Sequence, residues 1–449
     1  MEKGGVMVTC GTDQRLALAR LRETMIDPAR FSTDHELISS YVETGHPDDD
    51  LLAVVFPRSQ TDIRQILEVA RINGLAVYTR APWGVKPDRK GILMDFDFMS
   101  DVMSIDEKNL FLELEPGVTW EQVLPELSAH RVRLALPAAA RSRYVLECAM
   151  QREITLPACR FANNQLSTFH AVLADGTEYR SGSEALTSSV AHWREDGGPN
   201  ISRVFKGSHN SFGIPTRAFI YLYPLPEARK VVAVGRSSRK QCCKLAARDA
   251  RVELGTEVLV LSRDKAKDDV WSAKGMPAWT VIFGLEGTPK LVKYQARRLK
   301  ELAEELKLTP KPMGKEFEAA AASALEKPWY APEVSLGFYT NWSRVDELSA
   351  KVEAALKPKG KLAQMVIPVK RGASVYVQYD VRDGTPDAAA TVKKLLPALA
   401  DAGAFFPDPT GSLAMHIFKK QPVYLRTLRQ IKQLLDPEDI LNSGQVVEV

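Results

Sequence analysis

The chain has 449 residues, 45% of them apolar, and its 60 basic and 56 acidic residues leave a net charge of +4. This length allows two or three domains, and the interspersed charges exclude the strongly basic surface of a nucleic-acid binder. No apolar run approaches the roughly 20 residues of a membrane helix, and the start lacks the apolar core of a signal peptide, so a cytoplasmic location is expected.

The cysteines and histidines show no metal-binding spacing. None of the five cysteines forms a C-x-x-C pair, and none of the seven histidines forms an H-x-x-x-H pair. Iron–sulfur clusters, structural zinc and histidine metal sites depend on such spacings. The sequence therefore predicts no metal site within this chain.

The first part of the chain predicts a helix followed by a β-α-β unit. Residues 51–56 are an apolar run typical of a buried strand, residues 62–72 have the period of an amphipathic helix, and residues 75–79 predict a second strand. Ser59 or Thr61 can cap the helix of this unit. The earlier helix is ended by Pro28, and its predicted buried face consists of Leu16, Leu18, Ala19, Leu21 and Met25.

Strands and one short helix follow as far as residue 180. The predicted strands are 91–96, 99–105 and 110–115, and Thr119 caps a predicted helix over 120–129. Residues 136–170 contain helical stretches but no glycine. Asp175-Gly176 lies between β-prone runs, which predicts a hairpin over residues 171–180.

Residues 207–226, GSHNSFGIPTRAFIYLYPLP, form the stretch around which the chain is organised. A Gly-Ser turn leads to the aromatic run 218–223, which predicts a strand. Gly213 indicates a sharp turn or a close approach of the backbone to a neighbour. On local features alone this is a buried strand that follows a loop.

The second half alternates strands with long charged helices. Helices are predicted over 239–254, 289–306, 343–356 and 386–401, and strands over 278–284 and 373–379. This alternation predicts a second α+β domain with its helices on one face of an antiparallel sheet. A basic amphipathic helix over 423–435 then ends at Asp436-Pro437.

Four stretches in this order carry a family resemblance. They are residues 53–57 with the helix to Asn73-Gly74, residues 115–119 with their helix, residues 198–216, and the tail 435–444. Taken together, they resemble the FAD-linked oxidase superfamily typified by vanillyl-alcohol oxidase and p-cresol methylhydroxylase, with glycolate oxidase subunits as cousins.

The resemblance implies an α+β architecture. Residues 1–225 would form a p-cresol methylhydroxylase-type FAD-binding domain of two subdomains, residues 226–410 an α+β cap domain with an antiparallel sheet, and residues 411–449 a segment that returns to the first domain. It also implies an FAD-dependent oxidoreductase, or a subunit of one, that oxidises a hydroxy acid or a phenolic or benzylic substrate by hydride transfer to flavin.

The same resemblance indicates which residues would contact FAD, and it assigns no catalytic residue. They lie after the second strand, in the organising stretch and in the tail: Arg80, Ala81, Trp83, Gly84, Gly207, Ser208, His209, Gly213, Ile214 and Asn442. His209 is either a flavin neighbour or an ordinary polar loop residue. Trp83 either stacks on a ring or fills the phosphate site.

The sequence departs from the family where the diphosphate should bind. The family uses two glycine-rich loops there, because main-chain N–H groups must come close to the phosphates. The first loop here is Arg80 to Gly84, in which Pro82 has no N–H and Trp83 adds bulk, and the second interval, residues 137–175, has no glycine.

The substrate region departs as well. Phe405-Phe406 occupies the approximate place of the Tyr-Arg pair of phenol-oxidising members. Tyr424 and Arg426 either line a pocket or contact the first domain, and Tyr339 and Trp342 belong either to the core of the cap or to a substrate site. These departures support a second hypothesis, a degenerate non-catalytic subunit without FAD in a hetero-oligomer with a flavin-bearing paralogue or an electron-transfer subunit.

Overall fold

The computed structural model describes residues 14–43, 46–82, 84–157, 165–186, 194, 198–270, 276–307 and 311–447. In these ranges no helix is both long enough and apolar enough to cross a membrane. The described chain builds three large sheets and a small two-stranded one.

The first sheet contains the predicted β-α-β unit. Its order is β1-β2-β4-β3, in which β2, β4 and β3 are parallel and β1 is antiparallel. The side chain of Ser59 accepts a hydrogen bond from the Asp62 N–H at 3.2 Å, which caps the crossover helix as predicted. The elements are α1 (Gln14–Met25), β1 (Phe31–Ser32), α2 (His35–Ser40), β2 (Leu51–Val55), α3 (Gln60–Ile72), β3 (Ala76–Thr79) and β4 (Gly91–Met94).

The predicted buried face of α1 is partly wrong. Leu21 and Met25 are buried, but Leu16 is 47% exposed and Ala19 is exposed, whereas Ala17 is fully buried. Ala17, Leu21 and Met25 are spaced four residues apart and form one stripe against the first sheet, so a small residue lies where a leucine was expected.

The second sheet is antiparallel, with the order β5-β6-β10-β8-β9. β10 contains most of the aromatic run and lies between β6 and β8, so both of its edges are paired, and most of its side chains are buried. The hairpin at Asp175-Gly176 is confirmed by the β8–β9 pairing. The elements are β5 (Val102–Asp106), β6 (Phe111–Leu114), α4 (Trp120–Ala129), β7 (Val132–Arg133), α5 (Val145–Met150), β8 (Leu166–Val172), β9 (Glu178–Arg180), α6 (Ser202–Phe205), β10 (Ile214–Tyr221) and β11 (Tyr223–Pro224).

The third sheet has seven antiparallel strands in the order β15-β12-β14-β13-β17-β18-β16. Its elements are β12 (Ala228–Arg236), α7 (Arg239–Val252), β13 (Glu257–Ser262), α8 (Arg263–Asp269), β14 (Trp279–Gly287), α9 (Pro289–Glu305), β15 (Lys311–Pro312), α10 (Lys315–Ala324), β16 (Ser335–Thr340), α11 (Val345–Leu356), β17 (Lys361–Val369), β18 (Ser374–Arg382) and α12 (Ala388–Asp401). Two further helices follow, α13 (Gly411–Phe418) and α14 (Pro422–Leu435).

The prediction that the helices cover only one face of this sheet is wrong. Apolar residues of α7, α9 and α11 pack on one face, and those of α8 and α10 pack on the other. The second face also receives Ala138, Ile154 and Leu156 from the first half of the chain. Successive residues of each strand point to opposite faces of the sheet, and both faces are apolar. Each face must therefore be covered by helices or other chain segments. The α+β class with an antiparallel sheet is confirmed, and the domain boundaries at 225 and 410 stay a prediction.

The tail returns to the first sheet through a buried ion cluster, here called the tail anchor. Lys432 Nζ donates to Asp436 Oδ2 at 2.6 Å and to the main-chain oxygens of Leu441 and Ser211 at 2.8 and 3.1 Å. Asp436 in turn accepts from the main-chain N–H groups of Ile440 and Leu441. Both charged side chains are fully buried, so their mutual pairing fixes the path of the tail beside β3.

Candidate cofactor site

Three distant segments meet at the end of β3. Thr79 Oγ1 accepts hydrogen bonds from Asn210 Nδ2 at 3.1 Å and from Asn442 Nδ2 at 3.0 Å, and Asn442 Oδ1 accepts from the Thr79 N–H at 2.9 Å. Asn210 belongs to the organising stretch and Asn442 to the tail. The structure therefore brings together the three regions in which the predicted cofactor residues lie.

Arg80 follows Thr79 and is held in a polar network, here called the Arg80 cluster. The network consists of Tyr41, Arg80, Asp95, Asp97, Arg143 and Tyr144. Arg80 Nη1 lies 3.1 Å from Asp95 Oδ2, with which it forms an ion pair, and it donates to the Tyr144 hydroxyl at 2.6 Å. Although burial opposes it, the Asp95 carboxylate raises the pKa of Arg80 further. The charge of Arg80 is thus compensated within the chain.

The second arginine of the cluster is compensated in the same way. Arg143 Nη2 donates to Asp97 Oδ1 at 2.7 Å and to the Tyr144 hydroxyl at 3.0 Å. Tyr144 also donates to Asp97, and Tyr41 donates to Asp95 Oδ2 at 2.7 Å. Burial, followed by the nearby carboxylates, raises the pKa of both tyrosines, so both remain neutral donors.

Main-chain donors in the loop after β3 also point inward. The N–H groups of Arg80, Gly84 and Val85 donate to the carbonyl oxygens of Met94, Ala81 and Tyr41, respectively. Gly84 has φ +88°, and a Cβ there would lie 2.4 Å from the Glu43 nitrogen. The one glycine of this loop therefore serves close packing against another segment of the chain. Ala81 is partly buried beside it, and Trp83 lies outside the described residues.

The second interval, residues 137–175, has no glycine and contains carboxyl groups. Glu153 accepts from the Arg141 N–H at 3.0 Å, and Glu147 accepts from the Ser142 hydroxyl at 2.5 Å. Burial raises the pKa of Glu147 to about 7 and also raises that of Glu153. The short helix α5 carries Glu147 and Cys148, so acidic and bulky side chains line this interval.

The organising stretch packs tightly into the protein. Gly207 has φ +79°, and a Cβ there would lie 2.5 Å from Asp408 Oδ1. Ser208 Oγ donates to the Phe205 carbonyl at 2.7 Å, and Gly213 lies against the Phe205 ring. Ile214 is fully buried in the hydrophobic core that includes residues of the first sheet. These positions satisfy packing and turn requirements, so a role for them in cofactor binding stays a prediction.

His209 is the most unusual residue of that stretch. Its Nε2 is buried and has no hydrogen-bond partner among the described residues. Burial, followed by the charge of Arg141, lowers the pKa of His209 to about 4, while a hydrogen bond with the Asp408 backbone opposes that shift. The imidazole is therefore neutral near pH 7 and has one unused nitrogen.

Arg141, Arg152, Asp408 and Tyr376 surround this region, and sequence reasoning missed all four. Arg152 Nη2 pairs with Asp408 Oδ1 at 3.0 Å. Burial raises the pKa of Asp408 and that of Tyr376, and the charge of Arg141 opposes both shifts. The pair at 152 and 408 spans 256 positions of sequence. No local pattern links residues so far apart, so only the fold brings them together.

The other substrate candidates are divided. Phe406 is buried in the core of the third sheet, whereas Phe405 is 62% exposed and pairs through its main chain with Tyr339. Trp342 donates to the Gly372 carbonyl at 2.9 Å, and Tyr424 is exposed and packs on Phe418. Over the residues that the structure describes, no group of three or more His, Cys, Asp or Glu side chains could hold a metal ion.

The residues at the end of β3 do not fit a diphosphate. Cations that are free to pair and successive free main-chain N–H groups are the donors that bind phosphates in proteins. Here both arginines are paired with carboxylates, and three N–H groups of the loop donate to carbonyl oxygens. We therefore derive no catalytic step through a dinucleotide held at this place.

Part of the chain matches a known family, and most of the chain is similar to flavin-linked proteins at low identity. Residues 51–182 match the family described as "FAD binding domain". The chain is 26% identical over 204 residues to the glycolate oxidase subunit GlcD of Bacillus subtilis, a match that covers 44% of this chain and 42% of that protein. It is 22% identical to a D-lactate dehydrogenase of Archaeoglobus fulgidus, over 88% of this chain and 91% of that protein.

The match covers less than half the length of several curated relatives. The chain spans 42% of the glycolate oxidase subunit and 36% of the yeast mitochondrial D-lactate dehydrogenase [cytochrome] 1, which is 23% identical over 46% of this chain. Each of these likenesses is below 30% identity, so the activity and partners of those proteins are not carried over here.

Solved structures establish the fold over nearly the whole chain. p-Cresol methylhydroxylase with bound substrate matches with a TM-score of 0.80 at 16% identity, over 97% of each chain. 4-Ethylphenol oxidase from Gulosibacter chungangensis matches with a TM-score of 0.79 at 18% identity, over 98% of this chain and 99% of that chain. The chain has the p-cresol methylhydroxylase-type fold and its residues 51–182 match the FAD-binding domain family, so the predicted resemblance to the FAD-linked oxidase superfamily is confirmed.

Proposed function

We propose that this chain is a subunit of an FAD-dependent oxidoreductase that oxidises a hydroxy acid or a phenolic or benzylic substrate. Flavin supplies hydride acceptance in enzymes of this kind. The observation that carries the proposal is the meeting of Thr79, Asn210 and Asn442, because it preserves the junction of the three segments that the resemblance assigns to the cofactor. Relatives named as glycolate, lactate and cresol enzymes support the substrate classes.

Within this proposal, the geometry favours a non-catalytic subunit that pairs with a flavin-bearing paralogue or an electron-transfer subunit in the cytoplasm. The supporting observation is the main chain after β3, where the N–H groups of Arg80, Gly84 and Val85 are used internally. Homologous chains can pair readily because related surfaces complement one another. In the other arrangement, the chain holds FAD itself and contributes its own active site.

Flavin content per chain in the complex purified with its natural partners tests the proposal. The favoured arrangement predicts flavin on the partner alone, so the ratio of flavin to total homologous chains is about one half for a one-to-one pair. One flavin for every homologous chain, including this one, supports the other arrangement. A complex that contains no flavin on any subunit would contradict the proposed function in both forms.

A further inference from the structure

The Arg80 cluster lies where a sheet of this type offers its ligand site. β2, β4 and β3 are parallel, so their carboxyl ends share one edge of the first sheet. Arg80 directly follows β3, and Asp95 directly follows β4. Parallel α/β sheets bind ligands outside the carboxyl ends of their strands. The cluster therefore fills the edge at which an anionic ligand would be expected.

Carboxylates in the cluster accept the charge-assisted bonds that the two arginines could otherwise donate to an anion. Asp97 Oδ1 lies 2.7 Å from Arg143 Nη2 and 3.8 Å from Arg80 Nη1, so one carboxylate bridges both cations. Asp95 is fully buried and lies 3.1 Å from Arg80. Charge-assisted bonds to guanidinium groups are among the strongest hydrogen bonds in proteins, whether the acceptor is a carboxylate or a phosphate.

Main-chain hydrogen bonds also hold Asp95 in position. Asp95 Oδ1 accepts from the Asp97 N–H at 2.9 Å, and the Asp95 N–H donates to the Val55 carbonyl at 3.0 Å. Two aromatic rings also help to hold the Arg80 side chain in place. Its guanidinium lies 5.1 Å from the centre of the Tyr144 ring and 5.7 Å from that of the Tyr41 ring. The arrangement is complete without an external anion.

We infer that the Arg80 cluster is an internal substitute for a diphosphate, in which Asp95 and Asp97 hold the arginines that a dinucleotide would otherwise bind. This inference rests on the proposed function in its non-catalytic form. It names Asp97 as the group that blocks the site, because Asp97 contacts both arginines and is 38% exposed, whereas Asp95 is fully buried. Removal of the Asp97 charge should open an anion site.

Inorganic pyrophosphate is the probe, applied to the full chain without flavin or partner. Asp97→Asn removes the ion pair with Arg143 and the longer one with Arg80. The variant should therefore bind pyrophosphate at least about tenfold more tightly than the wild type, a difference of about 1.4 kcal/mol in binding free energy. Binding should raise the midpoint of thermal unfolding in this variant, because a ligand that binds only the folded state stabilises it. The wild type should show no such rise.

Asp101→Asn is the matched control. It removes the same charge from an exposed position of the first half, and no arginine among the described residues forms an ion pair with this side chain. It should leave pyrophosphate binding at the wild-type level, which separates release of the arginines from a change in net charge. If Asp97→Asn does not fold, Asp97→Ser takes its place, since the shorter hydroxyl also removes the bridging carboxylate.

Two results would overturn the inference. One is a wild-type chain that binds pyrophosphate as tightly as the folded Asp97 variant. The other is a folded variant that gains no binding. Neither result depends on flavin, so failure here is distinguishable from failure of the proposed function, which is decided by flavin in the complex.

Discussion

The tail anchor and the Arg80 cluster flank the same strand, and they differ in how they are built. The anchor joins Lys432 and Asp436, both fully buried, largely through main-chain groups. The Arg80 cluster joins side chains, of which Arg80, Asp97 and Arg143 are 30%, 38% and 47% exposed. The anchor is therefore buried throughout, whereas three members of the cluster are in contact with solvent, so substitution of those three should cost less stability than substitution in the anchor.

The largest effect is expected from breaking the anchor. Lys432→Met leaves the Asp436 carboxylate buried without its cation, so the free energy of unfolding should fall by about 3–5 kcal/mol. Urea denaturation measures this fall. Arg429→Met, on an exposed position of the same helix, is the control and should change the free energy by less than about 0.5 kcal/mol. Equal effects of the two substitutions would refute a fold-defining role for the anchor.

The second effect is the pH dependence of Glu147, a buried carboxyl that feels the charges of Arg80 and Asp95 but lies outside the Arg80 cluster. Glu147 has a pKa of about 7 in the folded chain against an ordinary value of 4.5, so the unfolded state loses its proton first as pH rises. Stability from the neutral carboxyl is complete below pH 4.5 and is lost as pH rises to about 7. Glu147→Gln stays neutral, so it should be more stable than the wild type above pH 7, by at most about 3 kcal/mol.

Thermal unfolding at a series of pH values measures this difference. Exposed Glu126, on α4, offers the matched control, because Glu126→Gln should shift stability equally at every pH. A Glu147→Gln variant whose advantage is the same at pH 5 and above pH 7 would show that the buried carboxyl does not titrate as described.

The smallest effect concerns the junction between the two clusters. Asn442→Ala removes the side-chain hydrogen bonds to Thr79 and leaves buried polar groups unpaired, so the free energy of unfolding should fall by about 1–3 kcal/mol. Asn341→Ala, at an exposed position, should cost less than about 0.5 kcal/mol. Chemical denaturation of both variants checks this, and an unaffected Asn442→Ala chain would remove the junction from the account.

Local sequence signals predicted most of the fold correctly. The helix over 120–129 and the crossover helix were marked by Thr119 and Ser59, whose side chains do cap those helices. The strand of the organising stretch was predicted to begin at residue 218, but it begins four residues earlier, at Ile214. The glycine before Ile214 and the proline after it, Pro215, indicated a turn rather than a strand. The helical stretches expected within residues 136–170 are confirmed by α5, but β8 begins at Leu166, five residues before the predicted hairpin, because it pairs with β10 and β9.

The candidate site was less accessible to sequence reasoning. Arg80, His209 and Asn442 could be selected from a family resemblance, but their partners could not. Asp95 and Tyr144 accept hydrogen bonds from Arg80 across 15 and 64 positions of sequence, and Asp408 pairs with Arg152 across 256. The absence of glycines indicated that the loops had changed, while only the structure shows that carboxylates now face the arginines.

Calorimetric titration of the purified full-length chain with FAD tests the central claim most directly. If Asp95 and Asp97 already occupy Arg80 and Arg143, the chain should show no saturable binding at FAD concentrations up to tens of micromolar, where a dissociation constant of about 1 µM would be plainly visible. Saturation at one FAD per chain with a dissociation constant at or below about 1 µM would contradict the claim.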